Sequence, residues 1–382
     1  MVAPCKLQAD PTQRTSFIHS FSEFSGDLKQ IATWLDDDKL EPEIRSALCV
    51  AVGTLKTEGK QATQKVLEKL YQTAVDGGTH SAARWALLQQ GVTEDELETL
   101  IVDQQESDPR REWAHLKSAG GLTMVKIPSR NFVLGSVTDD AVEDKENGGW
   151  KGDPTADDTL DTFPAIWVSD REITVGQFKV LLPQFQDTAD QNAAKVPDAD
   201  RLPVRYVNWY DAIEFCNALS NPPETVSNRE RLKPYYKLTE VQRDETTGHI
   251  TAADVQPDPD GPGKYGYRLL TETEWEYACR AMSTQGYSFG DEETLLREYG
   301  VYGGSDPSIC GQRIPNAFGL FDMHGNLYEW CWDNFVASGG SRVLRGGSFN
   351  CIDPQILRSA FRNFNPPGSR YVSFGFRISR TP

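Results

Sequence analysis

The chain has 382 residues, 38% of them hydrophobic, with nine Trp and seventeen Phe. That is enough apolar material for a sizeable core and for two domains, and it excludes a disordered protein. The formal charge of -17 argues against nucleic acid and anionic membranes as partners, because both call for basic surface.

No apolar run approaches 18 residues, so no transmembrane helix is expected. The start, MVAPCKLQAD, lacks the apolar stretch of a secretory signal. A cytoplasmic monomer is therefore the expectation. The seven cysteines, Cys5, Cys49, Cys216, Cys279, Cys310, Cys331 and Cys351, are odd in number and widely spaced, without a CxxC. They read as isolated thiols of a reducing compartment.

From the N-terminus to about Lys117 the pattern is helical. Phe24, Leu28, Ile31 and Leu35 follow an amphipathic helical rhythm, and Ile44, Leu48, Ala51 and Leu55 repeat it. Val66, Leu67 and Leu70 form another stripe. Gly78 and Thr79 are expected to break that helix, with Ala82, Trp85, Ala86 and Leu88 facing inward from the next, and Glu94–Val102 as a last short helix. This stretch, residues 1–117, resembles HEAT-like repeats without a clean period, a type of module that serves as scaffold or partner surface. His80 reads as a packing or loop residue.

Composition changes near Ser118–Gly121, and glycines, prolines and short apolar runs take over. LTMVKIPSRNFVLGS opens with a strand, and ENGGWKGDPTADDTLDTFP reads as a loop. PAIWVSDREITVGQFKVLL passes from strand to helix, with Thr174 as N-cap. VNWYDAIEFCNALS and LLTETEWEYACRA are amphipathic helices, the second opened by a capping box of Thr271 and Glu274. The polar stretch Pro222–Tyr265 between them reads as an excursion with short strands.

Six phrases then stand in order: MVKIPSRNFVLGS, VSDREITVGQF, PVRYVNWYDAIEFCNALS, YRLLTETEWEYACR, PNAFGLFDMHGNLYEW, and LRGGSF followed by GFRIS. Together they resemble the formylglycine-generating-enzyme, or sulfatase-modifying-factor, domain over residues 118–382. The resemblance implies an α+β fold, a C-type lectin-like fold of the formylglycine-generating-enzyme type, preceded here by a small all-α domain.

The family's oxidase uses two thiolates five residues apart to hold copper(I), a soft ion suited to sulfur. Cys351 matches the first, but Ile356 stands at the second. No copper and no catalytic residue are therefore expected. A related branch joins sulfur to a histidine betaine on iron held by an HxxxHxE motif. None of the five histidines here lies four residues from another. The resemblance also implies a structural calcium ion (Ca2+) on the side chains of Asp322 and Glu329 and the carbonyls of Gly325 and Leu327. Such hard oxygen donors suit calcium. The alternative is that both carboxylates accept hydrogen bonds inside a buried turn. His324 lies within the motif as a spectator.

The tail closely resembles a further branch of the family, the variable proteins of diversity-generating retroelements, whose C-terminal segment is rewritten at template adenines. An AAC codon so rewritten reaches most residues but never Trp, Gln, Glu, Lys or Met. Between a frame of Gly346, Gly347, Ser348, Pro354, Leu357, Arg358, Ser359, Ala360, Arg362, Pro366, Arg370, Gly375, Phe376 and Arg377 lies a second set, within residues 349–374. These are Asn350, Cys351, Ile352, Asp353, Ile356, Phe361, Asn363, Phe364, Asn365, Ser369, Tyr371, Val372, Ser373 and Phe374, and all are reachable. They are expected to form a ligand-binding face for a protein, since exposed aromatics are costly unless they bind. Seven arginines against one aspartate after Ser341 are expected to fork onto carbonyls and carboxylates elsewhere and hold the loops. Trp209, Trp330 and Trp332 are expected to floor them. The alternatives are a copper oxidase of the family type, or an inert module whose helical part recruits a protein partner.

Overall fold

The computed structural model describes residues 6–55, 61–101, 110–132, 135, 161–162, 164–185, 197–222, 231–258, 266–335 and 339–382. Cys5, the expected loop 146–164 for most of its length, and much of the PDPDGPG cluster lie outside them. Six helices come first: α1 (Thr12–Ser20), α2 (Leu28–Leu35), α3 (Pro42–Gly53), α4 (Gln61–Thr73), α5 (Gly77–Gln89) and α6 (Glu94–Leu100). The expected break at Gly78 and Thr79 falls earlier. Asp76 caps α5 by accepting from the Thr79 amide at 2.6 Å, so Gly77 opens the helix. The spacing gave no sign of α1, whose inward face is partly polar. There Arg14 donates to the Glu43 carbonyl at 2.7 Å and to Ser46 Oγ at 3.0 Å.

Strands and isolated helices follow: β1 (Trp113–Leu116), β2 (Leu122–Ile127), β3 (Asn131–Phe132), β4 (Asp161–Thr162), β5 (Ile166–Ser169), α7 (Val175–Leu181) and α8 (Trp209–Ser220). The polar excursion contains a hairpin, β6 (Tyr236–Arg243) and β7 (Ile250–Pro257), before β8 (Arg268–Leu269), α9 (Glu272–Arg280) and α10 (Leu296–Tyr299). Seven short strands close the chain: β9 (Gly300–Val301), β10 (His324–Gly325), β11 (Tyr328–Asn334), β12 (Arg342–Arg345), β13 (Asn363–Asn365), β14 (Phe374–Gly375) and β15 (Ile378–Arg380). Capping boxes open α7, α8 and α9, from Thr174, Asn208 and Thr271.

The main sheet runs β1-β2-β5-β15-β8, so the last strand inserts between β5 and β8 and closes the domain. A second sheet runs β13-β12-β11-β14. Alternation sorts the main sheet's side chains onto two faces. Trp113, Val125 and Val168 join the core of the helices, while Ala114, Met124 and Trp167 join the core of Phe178, Phe215, Trp330 and Phe376. Both faces are dry, which is why these strands show no polar alternation.

Helices α1–α6 share one apolar core with the β-rich part. The indole of Trp113 donates to the Ala74 carbonyl at 2.7 Å, and that of Trp85 to the Gln312 carbonyl at 3.1 Å. His80 is packed as expected, stacked 3.9 Å from Trp113 with Nδ1 on the Tyr71 carbonyl at 2.7 Å. Among the described residues no helix is long and apolar enough to cross a membrane.

Candidate functional site

The tail from Asn350 to Phe376 is mostly loop, and side chains set its course. Arg345 is fully buried, donating to the Glu276 carboxylate and to the Phe361 carbonyl. Arg362 forks onto Glu272, with Nη2 at 2.6 Å from Oε2. Arg370 donates to the Tyr206 carbonyl and, at 2.6 Å, to Nε2 of His249. His249 in turn sits 2.8 Å from the fully buried Asp211 carboxylate. Arg377 forks onto Glu329 at 2.7 Å twice and reaches the Phe321 carbonyl at 2.9 Å. The arginines thus hold the loops as the sequence suggested.

Backbone pairing completes the frame. The amides of Gly303 and Gly304 donate to the carbonyls of Cys351 and Phe349 at 2.8 and 2.7 Å. The Tyr206 amide donates to Tyr371 and the Trp209 amide to Pro367. Tyr206 holds a left-handed φ of 59°, an uncommon choice for a bulky residue, at the point where both contacts converge. Gly347 has φ 74°, and a Cβ there would stand 3.1 Å from the Ile356 carbonyl, so RGGSF needs its glycine. Beneath lie the expected tryptophans. Trp332 stacks on Tyr236 at 4.9 Å and leans on Trp209 at 5.3 Å, with the Arg342 guanidinium 3.8 Å over Trp209. The Trp330 ring meets Phe374 edge-on at 5.3 Å.

The candidate binding positions divide by exposure. Ile352 is 85% exposed and Tyr371 53%, with Asn350 and Asp353 also exposed. Cys351, Ile356, Phe361, Asn363, Phe364, Asn365, Ser369, Val372 and Ser373 are half-buried. Phe364 stacks on Phe335 at 4.2 Å. Phe374 departs from the expected face. It is 4% exposed and packs among Tyr328, Trp330 and Tyr371, because β14 pairs in parallel with β11 and turns that ring inward. Cys351 Sγ lies 3.4 Å from Ser348 Oγ and 3.5 Å from the Tyr328 hydroxyl.

The expected calcium donors are all buried but do not all face one point. Glu329 is committed: Oε2 accepts from the Trp275 indole and Arg377 Nε, both at 2.7 Å, and Oε1 accepts from Arg377 Nη2. The expected four-donor calcium set therefore fits poorly at this carboxylate, which already has a buried cation. Asp322 turns elsewhere. Its Oδ2 accepts from the Gly311 amide at 2.6 Å, while Oδ1 is sealed from solvent without a hydrogen bond. The Gly325 amide pairs with the Gly346 carbonyl at 2.8 Å, and the Leu327 amide donates to Glu172 Oε1 at 2.8 Å. Asp322 instead meets Glu172 and Cys310, with one donor atom from each within 4.8 Å of the others. Burial pushes the Asp322 carboxyl up to about 6, and burial with the nearby Asp322 and Glu329 charges raises Glu172 well above the carboxylate range. Burial holds His324 down to about 4.

Sequence reasoning missed Glu172, although VSDREITVGQF contains it. An acid between an apolar strand and a capped helix was the available signal. Glu272 and Glu276 were equally unassigned. They lie one turn apart on α9, and i, i+4 spacing puts both on the face that meets Arg345 and Arg362.

An α+β scaffold built on two main sheets with a helical preface, presenting a loop-built face held by arginines on buried partners, defines a class of protein rather than one chemistry. Residues 112–382 match the sulfatase-modifying factor enzyme 1-like domain, and the chain belongs to that family. It is similar to the solved structure of Treponema denticola variable protein 1, with 26% identity, a TM-score of 0.53, and coverage of 68% of this chain and 95% of that one. It is also similar to the chaperone protein LppX of Paenibacillus barcinonensis, at 30% identity over 43% of this chain and 65% of that protein. The formylglycine-generating enzyme of Streptomyces coelicolor matches at 33% over 30% of this chain and 46% of its own length. The chain thus spans less than two thirds of these curated relatives.

Proposed function

We propose that this is a non-catalytic ligand-binding protein whose C-terminal face is diversified by a retroelement and recognises a protein ligand. One observation carries it. Arg345, Arg362, Arg370 and Arg377 fix the tail's backbone through buried partners, while Ile352, Asp353, Asn350 and Tyr371 point outward. A backbone fixed from below tolerates changing side chains above. The similarity to a variable protein supports the same reading. We read the frame as the C-type lectin-like variant, in which long loops hang on a small scaffold. With Ile356 at the second thiol position and the Cys351 sulfur set beside hydroxyls, a two-thiolate copper centre has no second ligand there.

Three experiments test this. A near-identical copy of the DNA encoding the tail, differing at adenines and near a reverse transcriptase gene, is expected in the source genome, and its absence would remove the diversification. A displayed library varied only at the thirteen outward or half-buried positions, panned on a purified protein such as lysozyme, should yield folded binders. A library that mostly fails to fold sinks the reading. Oxygen-dependent oxidation of a cysteine peptide, abolished by Cys351→Ala, would install the copper oxidase in its place.

A further inference from the structure

Below the binding face three carboxylates, Glu172, Asp322 and Glu329, are almost fully buried together. The Glu172 carboxyl feels the charges of Asp322, Glu329 and Arg377. Arg377 is the cation bonded to Glu329. Nearby Arg171 is spent on Asp170, with two hydrogen bonds of 2.9 Å, and Arg313 acts on Asp322 only at longer range. Buried negative charge in excess calls for a proton or a cation.

We propose that Glu172, Asp322 and Cys310 form a site for a single zinc ion, which shares only Asp322 with the family's expected calcium position. Three observations carry it. First, Asp322 Oδ1 is buried without a hydrogen bond, on a residue 2% exposed whose carboxylate belongs to the cluster. A buried acceptor left bare is costly. Second, the Cys310 sulfur lies 3.6 Å from Glu172 Oε2. Zinc bonds of about 2.3 Å to sulfur and about 2.0 Å to oxygen, at a tetrahedral angle, put sulfur and oxygen about 3.5 Å apart. Third, the donors are held from behind. Asn326 Nδ2 and the Leu327 amide hold Glu172, and the Gly311 amide holds Asp322. Such outer partners orient metal ligands.

A thiol with two carboxylates suits zinc better than calcium, which takes only oxygen. On binding, the Cys310 thiol proton and the proton shared by the Glu172 and Asp322 carboxyls leave to solvent, and the sulfur–carboxylate hydrogen bond gives way to two metal bonds. A water completes four ligands. The ion would tie the loop before α7 to the segment between α10 and β10. The proposal does not rest on the ligand-binding reading of the tail.

The full chain, titrated with Co2+ as a spectroscopic stand-in for Zn2+, is expected to bind one equivalent and to show a thiolate-to-cobalt charge-transfer band. Cys310→Ser should abolish the band and weaken Zn2+ binding by roughly 10-fold or more, while Cys351→Ser leaves both unchanged. Chelator should lower the melting temperature of the zinc-loaded chain by mass action. Cobalt uptake without the band, unchanged affinity in Cys310→Ser, or stabilisation by Ca2+ alone would each overturn the site. So would the absence of any metal uptake, which would assign the cluster a shared proton instead. The wild-type spectrum decides the matter even where a variant fails to fold.

Discussion

The guanidinium of Arg377 and the carboxylate of Glu329 form a forked pair at 2.7 Å, each residue 1% exposed. Arg377 stands between β14 and β15, and Glu329 lies on β11, so the pair ties the main sheet to the second. Removing one partner of such a pair leaves an uncompensated buried charge. Arg377→Met is expected to cost about 3–5 kcal/mol in denaturant unfolding. Arg377→Lys should not restore it, since an ammonium does not fork. Near-wild-type stability in Arg377→Met would show that the pair contributes little.

Outward and inward members of the tail should separate cleanly. Ile352→Asp is expected to change stability by no more than about 0.5 kcal/mol, and Tyr371→Ser to cost about 0.5–1.5 kcal/mol for its edge-on contact with Phe374. Phe374→Ala, in a closed aromatic setting, should cost about 3–5 kcal/mol. Similar costs at all three positions would place Ile352 in a contact the described surface does not show, or Tyr371 in one deeper than its edge on Phe374.

Arg370 bridges the turn after Pro366 to the β6–β7 hairpin through His249, which in turn meets Asp211 on α8. Arg370→Ala is expected to speed amide exchange in residues 366–373 and at Tyr206, with little change in β1, β2 and β5. Exchange that rises uniformly across the molecule would mean that the arginine supports the whole fold.

His80 gives a pH dependence with a definite sign. Burial drives its imidazole well below the ordinary histidine value. The unfolded chain therefore takes up a proton that the folded chain refuses. Stability from this residue is present above about pH 6.5 and is lost as pH falls below it, by up to about 1.4 kcal/mol per pH unit. His80→Phe should flatten that limb in denaturant titrations between pH 7 and 5. An unchanged slope would assign the acid sensitivity to other groups.

The shared core predicts one cooperative unfolding transition. Trp85 packs in that core and against Gly53, where a Cβ would come within 2.3 Å of its ring. Trp85→Ala should cost about 3–5 kcal/mol and lower the helical and the aromatic circular-dichroism transitions together. Two separated transitions would show that the helices melt independently.

The helices with strong periodicity, the capping residues Thr174 and Thr271, and the ordered motifs were legible because each depends on neighbours in sequence. The arginine frame was legible too. Planar forks scattered through a segment without periodicity require partners, although the sequence could not say which. The polar inward face of α1 and the Asp76 cap were hidden, since the partners that make them stable lie elsewhere in the chain.

Sequence alone determined the family frame, the set of candidate binding positions in the tail, and an isoleucine, not a thiol, at position 356. Tertiary structure decided which candidate residues face outward, because strand pairing and not residue type turned Phe374 into the core. It also decided that Glu329 answers to Arg377 and that Asp322 meets Glu172 and Cys310. Electrostatic partners 48 and 138 positions apart are chosen by how strands cross in space, and no local pattern carries that choice.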